Sequence, residues 1–218
     1  TTEALAIVDV TDPAAPMGRG SLPTPQWTRK VVLVDQVVLI ASSTALRAID
    51  VSDVDAPHEV FSFPSLGSAS QIAMTKNLGV LTDFPNGAWI LDVTEPSSPL
   101  PLSHIAIPNG GFSVVARDQH AFVTGGEPPY RGVHVIDLST PSQPTYVTFF
   151  PMNFIIYDVD YSDSLLYLTG GSTAIHVLDV SDPAQPVSVA SVPHPWGGKT
   201  VSVRDGTAYV LTNTDFLT

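Results

Sequence analysis

The feature that most constrains the fold is a short phrase that the chain repeats five times. It reads AIVDVTDPAAP, RAIDVSDVDAP, WILDVTEPSSP, HVIDLSTPSQP and HVLDVSDPAQP. Its aspartates are Asp9, Asp50, Asp92, Asp137 and Asp179, separated by 41, 42, 45 and 42 residues. A period of this size is typical of propeller blades and of stacked repeat units.

Each repeat unit contains four candidate strands. Two apolar runs joined by a short polar turn precede the phrase: KVVLV-DQ-VVLIAS, QIAMT-KN-LGVLT, SVVA-RDQ-HAFVT, YDVDY-SDS-LLYLT and TVSV-RDG-TAYVLT. Turns this short force an antiparallel hairpin. The phrase supplies a third strand, such as IHVLDV, and a fourth follows its last proline, such as VSVASV. The pattern therefore predicts an all-β propeller of four-stranded antiparallel blades.

The aspartate of the phrase stands where the third strand must turn away. With the Ser or Thr two residues later, it is expected to accept hydrogen bonds from loop N–H groups, while the prolines fix the loop. The alternative is a calcium surface built from the acids of all five phrases. One acidic corner per blade spreads the carboxylates around a circumference, whereas calcium gathers six to eight oxygens, so turn capping is the preferred interpretation. The acids in question are Asp9, Asp12, Asp50, Asp53, Asp92, Glu95, Asp137, Asp179 and Asp182.

The two ends of the chain each carry half a blade. The chain begins in a third strand near Leu5 and ends after a second strand at Thr212. Pairing of these halves would close a ring of five blades in a single domain, residues 1–218, and would remove two open sheet edges. The period predicts a further aspartate just beyond the last residue, so a longer chain with six or more blades is the alternative.

The phrase resembles the LVIVD repeat family, and the resemblance extends over the whole chain. It is strongest at residues 175–186 and 7–16, whereas Val54 replaces a proline in the second phrase and Thr140 replaces an acid in the fourth. This resemblance implies a β-propeller of a secreted, periplasmic or cell-surface bacterial protein.

Charge and hydropathy exclude two classes of partner. Twenty-one acidic residues against nine basic ones give a net charge of −12, which repels phosphate backbones, so no nucleic-acid partner is expected. No apolar run approaches the roughly 20 residues of a membrane span, so no direct membrane insertion is expected. The chain has no cysteine, which rules out disulfides and thiolate metal sites.

The predicted binding surface lies on the loops that join second to third strands and one blade to the next. In a propeller these loops share one face, and here they hold most of the aromatic and amide side chains that differ between repeats. Such side chains suit a protein or glycan partner, so the preferred function is a non-enzymatic binding or scaffold module. The predicted contacts are Trp27, Asp83, Phe84, Asn86, Asn109, Phe112, Glu127, Tyr130, Arg131, Asn153, His194, Trp196 and Lys199.

A hydrolase or lyase is the alternative function. Asp158 and Asp160 lie two residues apart on one predicted innermost strand, so they face the same side, and they are the weak candidates for acid–base chemistry or for a calcium ion. Asp83 is a further candidate carboxylate. The six histidines show no metal-ligand spacing, and no other cofactor is expected. A spacer without any ligand is the third hypothesis.

Overall fold

Apolar runs separated by two-residue turns fold the chain into a succession of antiparallel sheets. A computed structural model describes residues 3–24, 28, 30–64, 67–69, 71–193 and 197–212. These residues form twenty strands, and no helix suited to crossing a membrane is found among them. The strands make four four-stranded sheets, here called blades 1 to 4, between an N-terminal and a C-terminal hairpin.

Each blade follows the predicted order of four strands. The N-terminal hairpin is β1 (Glu3–Asp9) and β2 (Met17–Thr24). Blade 1 is β3 (Lys30–Val34), β4 (Val37–Ala41), β5 (Ala45–Asp50) and β6 (His58–Pro64), and blade 2 is β7 (Ile72–Thr75), β8 (Leu78–Asp83), β9 (Gly87–Asp92) and β10 (Leu100–Ala106). Blade 3 is β11 (Gly110–Arg117), β12 (His120–Gly125), β13 (Gly132–Asp137) and β14 (Thr145–Pro151). Blade 4 is β15 (Ile156–Ser162), β16 (Leu165–Gly170), β17 (Ala174–Asp179) and β18 (Val187–Pro193), and the C-terminal hairpin is β19 (Gly198–Arg204) and β20 (Thr207–Thr212).

The turns between the first and second strands have the geometry that their sequences predict. The strand residues that flank each turn pair directly, as Val34 pairs with Val37 and Arg117 with His120. Two-residue hairpin loops favour positive φ because this matches the twist of the strands. The first turn residue has φ between 51° and 54° in all five hairpins, at Asp35, Lys76, Asp118, Asp163 and Asp205.

The aspartate of each phrase caps the corner after the third strand, as predicted. The Oδ1 atom of Asp50 accepts a hydrogen bond from the N–H of Ser52 at 2.7 Å, and Asp137 accepts one from Ser139 at the same distance. Asp9, Asp92 and Asp179 do the same with the residue two positions later. Hydrogen bonds from the hydroxyl and from the N–H of that Ser or Thr stabilise the charged form and hold the pKa of all five carboxyls below the ordinary value.

The hydrophobic core consists of separate layers, each between two consecutive sheets. Leu39 and Leu46 of blade 1 pack against Ile72 and Leu81 of blade 2. A second layer joins blades 2 and 3, and a third joins blades 3 and 4. Alternation on the strands lets one sheet contribute to two layers, because Leu39 faces blade 2 whereas its neighbour Ile40 packs towards the N-terminal hairpin.

Among the described residues the predicted closing sheet is not formed. The structure holds β1–β2 and β19–β20 as two separate two-stranded sheets, so the four blades and two hairpins make an open arc. The repeat fixes how each blade packs on the next, but it does not fix the angle between them, and closure depends on the sum of those angles. Apolar side chains remain uncovered at both ends, among them Leu33 on β3, 64% exposed, and Val189 on β18, 53% exposed.

Candidate functional site

Backbone hydrogen bonds join loops of blades 2 and 3 into one surface. Asn86, between β8 and β9, forms a bridge with Gly110, and its carbonyl accepts a hydrogen bond from the N–H of Ile107. The carbonyl of Asn109 in turn accepts from the N–H of Gly126, between β12 and β13, at 2.9 Å. We call these three segments, residues 83–87, 107–112 and 125–131, the loop cluster.

Two phenylalanines pack at the centre of the loop cluster. The rings of Phe84 and Phe112 lie with their centroids 4.5 Å apart, and both side chains are half-buried. The Phe112 ring lies directly over Gly126, where a Cβ would overlap it. Glycine is therefore required at this position so that the aromatic ring can lie against the β12–β13 loop.

The β12–β13 loop presents charged and aromatic side chains to solvent. The Nε of Arg131 donates to the carbonyl of Gly126 at 2.8 Å, and its guanidinium lies 4.0 Å from the carboxylate of Glu127. The N–H of Tyr130 donates to the carbonyl of Glu127, and the Tyr130 side chain is 43% exposed. The loop backbone is thus fixed, while the tyrosine ring is free to contact a partner.

A buried histidine holds this loop from below. His134, 1% exposed, contacts the carbonyl of Tyr130 through Nε2 at 2.9 Å and the hydroxyl of Tyr146 through Nδ1 at 2.8 Å. Because a carbonyl only accepts, Nε2 carries the proton and Nδ1 accepts from the tyrosine. Burial disfavours the charged imidazolium and lowers the pKa of His134.

Asp83 is part of the scaffold of the loop cluster and not of its exposed surface. Its side chain is fully buried and accepts hydrogen bonds from the N–H of Gly67 at 2.7 Å and the indole N–H of Trp89 at 3.3 Å. The Nε2 atom of His104 lies 3.8 Å away. Burial lowers the pKa of His104, an effect that the Asp83 charge partly opposes.

The other predicted contacts differ in their positions. Asn86 and Arg131 are half-buried and Asn109 is exposed, all within the loop cluster. Asn153 and Lys199 are exposed on the connections before β15 and at the start of β19, in later parts of the arc. The remaining three predicted contacts, Trp27, His194 and Trp196, lie outside the described residues.

Asp158 and Asp160 join blade 4 to the C-terminal hairpin. The Oδ2 of Asp158 accepts from the N–H of Val201 at 3.0 Å, and the Oδ2 of Asp160 accepts from the N–H of Val203 at 2.6 Å. Asp158 also accepts from the hydroxyls of Ser113, on blade 3, and Thr200. One carboxylate on β15 therefore gathers donors from the innermost strands on both sides of it, β11 and β19.

One position of the third strand, three residues before the aspartate of the phrase, holds a loop or the fourth strand in place. The sequence shows only that this position recurs in each blade. His134 and His176 occupy equivalent places, and Trp89 and Arg47 occupy the same place in blades 2 and 1. His176 meets the Ser172 hydroxyl through Nε2 at 3.0 Å and stacks on the buried Phe154. Arg47 forms an ion pair with Glu59. The side chain at this position contacts a loop or the fourth strand, but the kind of interaction differs from blade to blade.

Among the residues that the structure describes, no group of three or more His, Asp or Glu side chains is placed to hold a metal ion. The calcium hypothesis for Asp158 and Asp160 stays a prediction.

This architecture of radially stacked four-stranded blades defines a β-propeller-like protein. The LVIVD repeat model matches the chain at residues 2–24, 66–103 and 157–193, so the chain contains LVIVD repeats, as its phrase predicts. The three matched segments include the phrases of Asp9, Asp92 and Asp179. The two unmatched phrases are the ones in which Val54 and Thr140 depart from the pattern.

Solved structures share the fold at low sequence identity. A functionally unknown protein from Desulfotomaculum acetoxidans DSM 771 superposes with a TM-score of 0.72 at 14% identity over 89% of this chain. AztD from Citrobacter koseri gives 0.63 at 14% over 97%, and the computationally designed Ika8 protein gives 0.61 at 13% over 84%. The chain spans 66%, 62% and 57% of those three proteins, respectively. No curated protein sequence matches this chain.

Proposed function

We propose that the protein is a non-enzymatic binding module that presents the loop cluster to a protein or glycan partner. One observation carries this proposal: loops from two blades are joined by backbone hydrogen bonds into a single surface from which Tyr130 projects beside Arg131. A surface whose backbone is already ordered loses little conformational entropy on binding. Tyrosine and arginine are the side chains most enriched at the centres of interfaces, and an aromatic ring next to a guanidinium also suits a sugar.

The alternative, a hydrolase or lyase that uses channel carboxylates, draws on the convergence of Ser113, Asp158 and Thr200. In that arrangement both hydroxyls and one backbone N–H donate to the same carboxylate, so its acceptor capacity is used in joining strands. These bonds support a packing role for Asp158, and they favour the binding proposal over the enzymatic alternative. Secretion or display at a bacterial surface, as one domain or subunit of an assembly, is the setting that the LVIVD resemblance supports.

Glycan-array and protein-library screening of the purified chain tests the proposal. A partner found with the wild type is then measured against Tyr130→Ala, which removes the exposed ring and keeps the carbonyl that His134 contacts. We expect affinity to fall at least about tenfold. Tyr209→Ala is the matched control, because Tyr209 is 64% exposed on β20, away from the loop cluster. Equal binding by Tyr130→Ala and the wild type would contradict the proposal.

A further inference from the structure

A small cavity lies between blades 3 and 4 at the other end of the strands from the loop cluster. Its volume is about 130 Å³, enough for about four water molecules at ~30 Å³ each. Arg117 ends β11 and His120 begins β12, and both line the cavity from blade 3. Tyr161, Ser164 and Ser181 line it from blade 4, and the apolar part of the wall is Phe122, Val180 and Pro183.

The basic pair at this cavity is peculiar to one gap between blades. Strand pairing places Arg117 and His120 in the same positions as Val34 and Val37 of blade 1, Thr75 and Leu78 of blade 2, and Ser162 and Leu165 of blade 4. Packing of the repeat therefore does not require a cation at either place. Between blades 2 and 3 the equivalent gap is bridged directly, because the hydroxyl of Thr75 donates to the carbonyl of Asp118 at 3.0 Å.

The guanidinium of Arg117 is positioned but not neutralised. Its Cζ lies 5.9 Å from the centroid of the Tyr161 ring, within cation–π distance, and the residue is exposed to solvent. Within the described part of the chain Arg19, Arg47 and Arg131 each have an acidic partner, whereas Arg117 and Arg204 form no ion pair. Arg117 differs from Arg204 in lining a cavity together with a histidine, His120.

We propose that this cavity binds a small oxyanion, a carboxylate or a phosphate group. The forked guanidinium suits two oxygens of such a group, and the Ser164 hydroxyl and the His120 ring are further donors. Asp118 is the acidic residue among those lining the cavity, and Asp137 pairs directly with His120 across strands β12 and β13. These two negative charges oppose an anion, so the affinity is expected to be in the millimolar range.

NMR titration of the full chain at constant ionic strength tests the proposal, with sodium phosphate and sodium acetate added in separate experiments. We expect a saturable shift of the His120 ring signals in the wild type. Arg117→Gln should weaken the affinity for the anion at least about tenfold, which is the loss expected for a hydrogen bond to a charged group. Arg117→Lys, which keeps the charge and loses the fork, should fall between the two.

Arg204→Gln is the matched control. Arg204 occupies the same place as Arg117, at the end of the innermost strand β19, and pairs with Thr207 as Arg117 pairs with His120. It should titrate like the wild type, and circular dichroism should show that all variants fold. Saturation by either anion with loss in Arg117→Gln supports the site and identifies its source. Saturation by neither anion, or equal titration of Arg117→Gln and Arg204→Gln, overturns it.

Discussion

Replacing Asp158 by alanine tests whether carboxylates on an innermost strand hold successive blades together. The substitution removes the acceptor for the Val201 N–H, which lies in a residue only 5% exposed, and for the Ser113 hydroxyl. Hydrogen bonds to a charged acceptor contribute about 1.5–3 kcal/mol each. Because the contributions of neighbouring bonds overlap and the Thr200 bond is exposed, we expect a total loss of about 2–4 kcal/mol.

The loss should be local, because the C-terminal hairpin packs on blade 4 and can open without unfolding the rest of the arc. Amide hydrogen exchange of residues 198–212, measured by mass spectrometry or NMR, should accelerate about 30-fold to several hundred-fold, since ~1.4 kcal/mol corresponds to a factor of ten. Exchange in blades 1 and 2 should change little. Asp160→Ala should act in the same direction with a smaller effect, because it accepts from β19 through Val203 alone.

Glu95→Ala is the control for the change in net charge, since Glu95 is an exposed acid at the corner of blade 2. The reasoning is refuted if exchange of residues 198–212 is unchanged in Asp158→Ala, or accelerates equally in Glu95→Ala. The same measurement on the wild type with excess calcium tests the metal hypothesis, because a bound ion would slow exchange of β19.

Three further predictions concern individual sites. Because the pKa of His134 is lowered in the folded state, the unfolded chain takes up a proton at a higher pH than the folded chain. The free energy of unfolding should therefore be at its maximum above about pH 6.5 and fall by at most ~1.4 kcal/mol per pH unit as pH decreases towards the folded pKa. Urea titrations at several pH values should show a smaller slope in His134→Gln. Gly126→Ala should lower the free energy of unfolding by about 1–3 kcal/mol, because the new methyl group would overlap the Phe112 ring. Gly18→Ala has nothing within 4 Å of the new methyl group, so its thermal unfolding midpoint should not decrease. Val189→Lys on the uncovered face of β18 should change stability by less than about 0.5 kcal/mol, whereas Val177→Lys, at 8% exposure, should prevent stable folding as judged by circular dichroism.

The strands and corners could be predicted because their signals are local. A two-residue turn between apolar runs defines a hairpin by itself, and the aspartate of the phrase caps a loop within two residues of its own position. The blade order followed from the repeat period. The bridge between Asn86 and Gly110 brings two of the predicted loops together, and the common face of all the loops stays a prediction.

The roles of single side chains depend on contacts between repeats, which a sequence period does not specify. The sequence predicts that Asp83 is an exposed loop residue. In the structure it is buried, because the 67–69 segment of the preceding connection folds over it. The sequence predicts that Asp158 is a carboxylate of the channel. Its hydrogen bonds to β19 depend on β15 and β19 lying side by side, which the sequence does not specify. Ring closure is not seen among the described residues, and it depends on the angles between blades, which a residue pattern does not specify.

The layered core has a consequence for how such a chain tolerates change in length. In the described part of the chain every apolar layer lies between consecutive sheets, so the stability of each blade depends on its two neighbours. Duplication or loss of one 42-residue unit exchanges equivalent interfaces without disturbing distant ones. Partial unfolding should accordingly begin at the two terminal hairpins, for each of which the structure describes one neighbouring sheet, while the central blades stay folded.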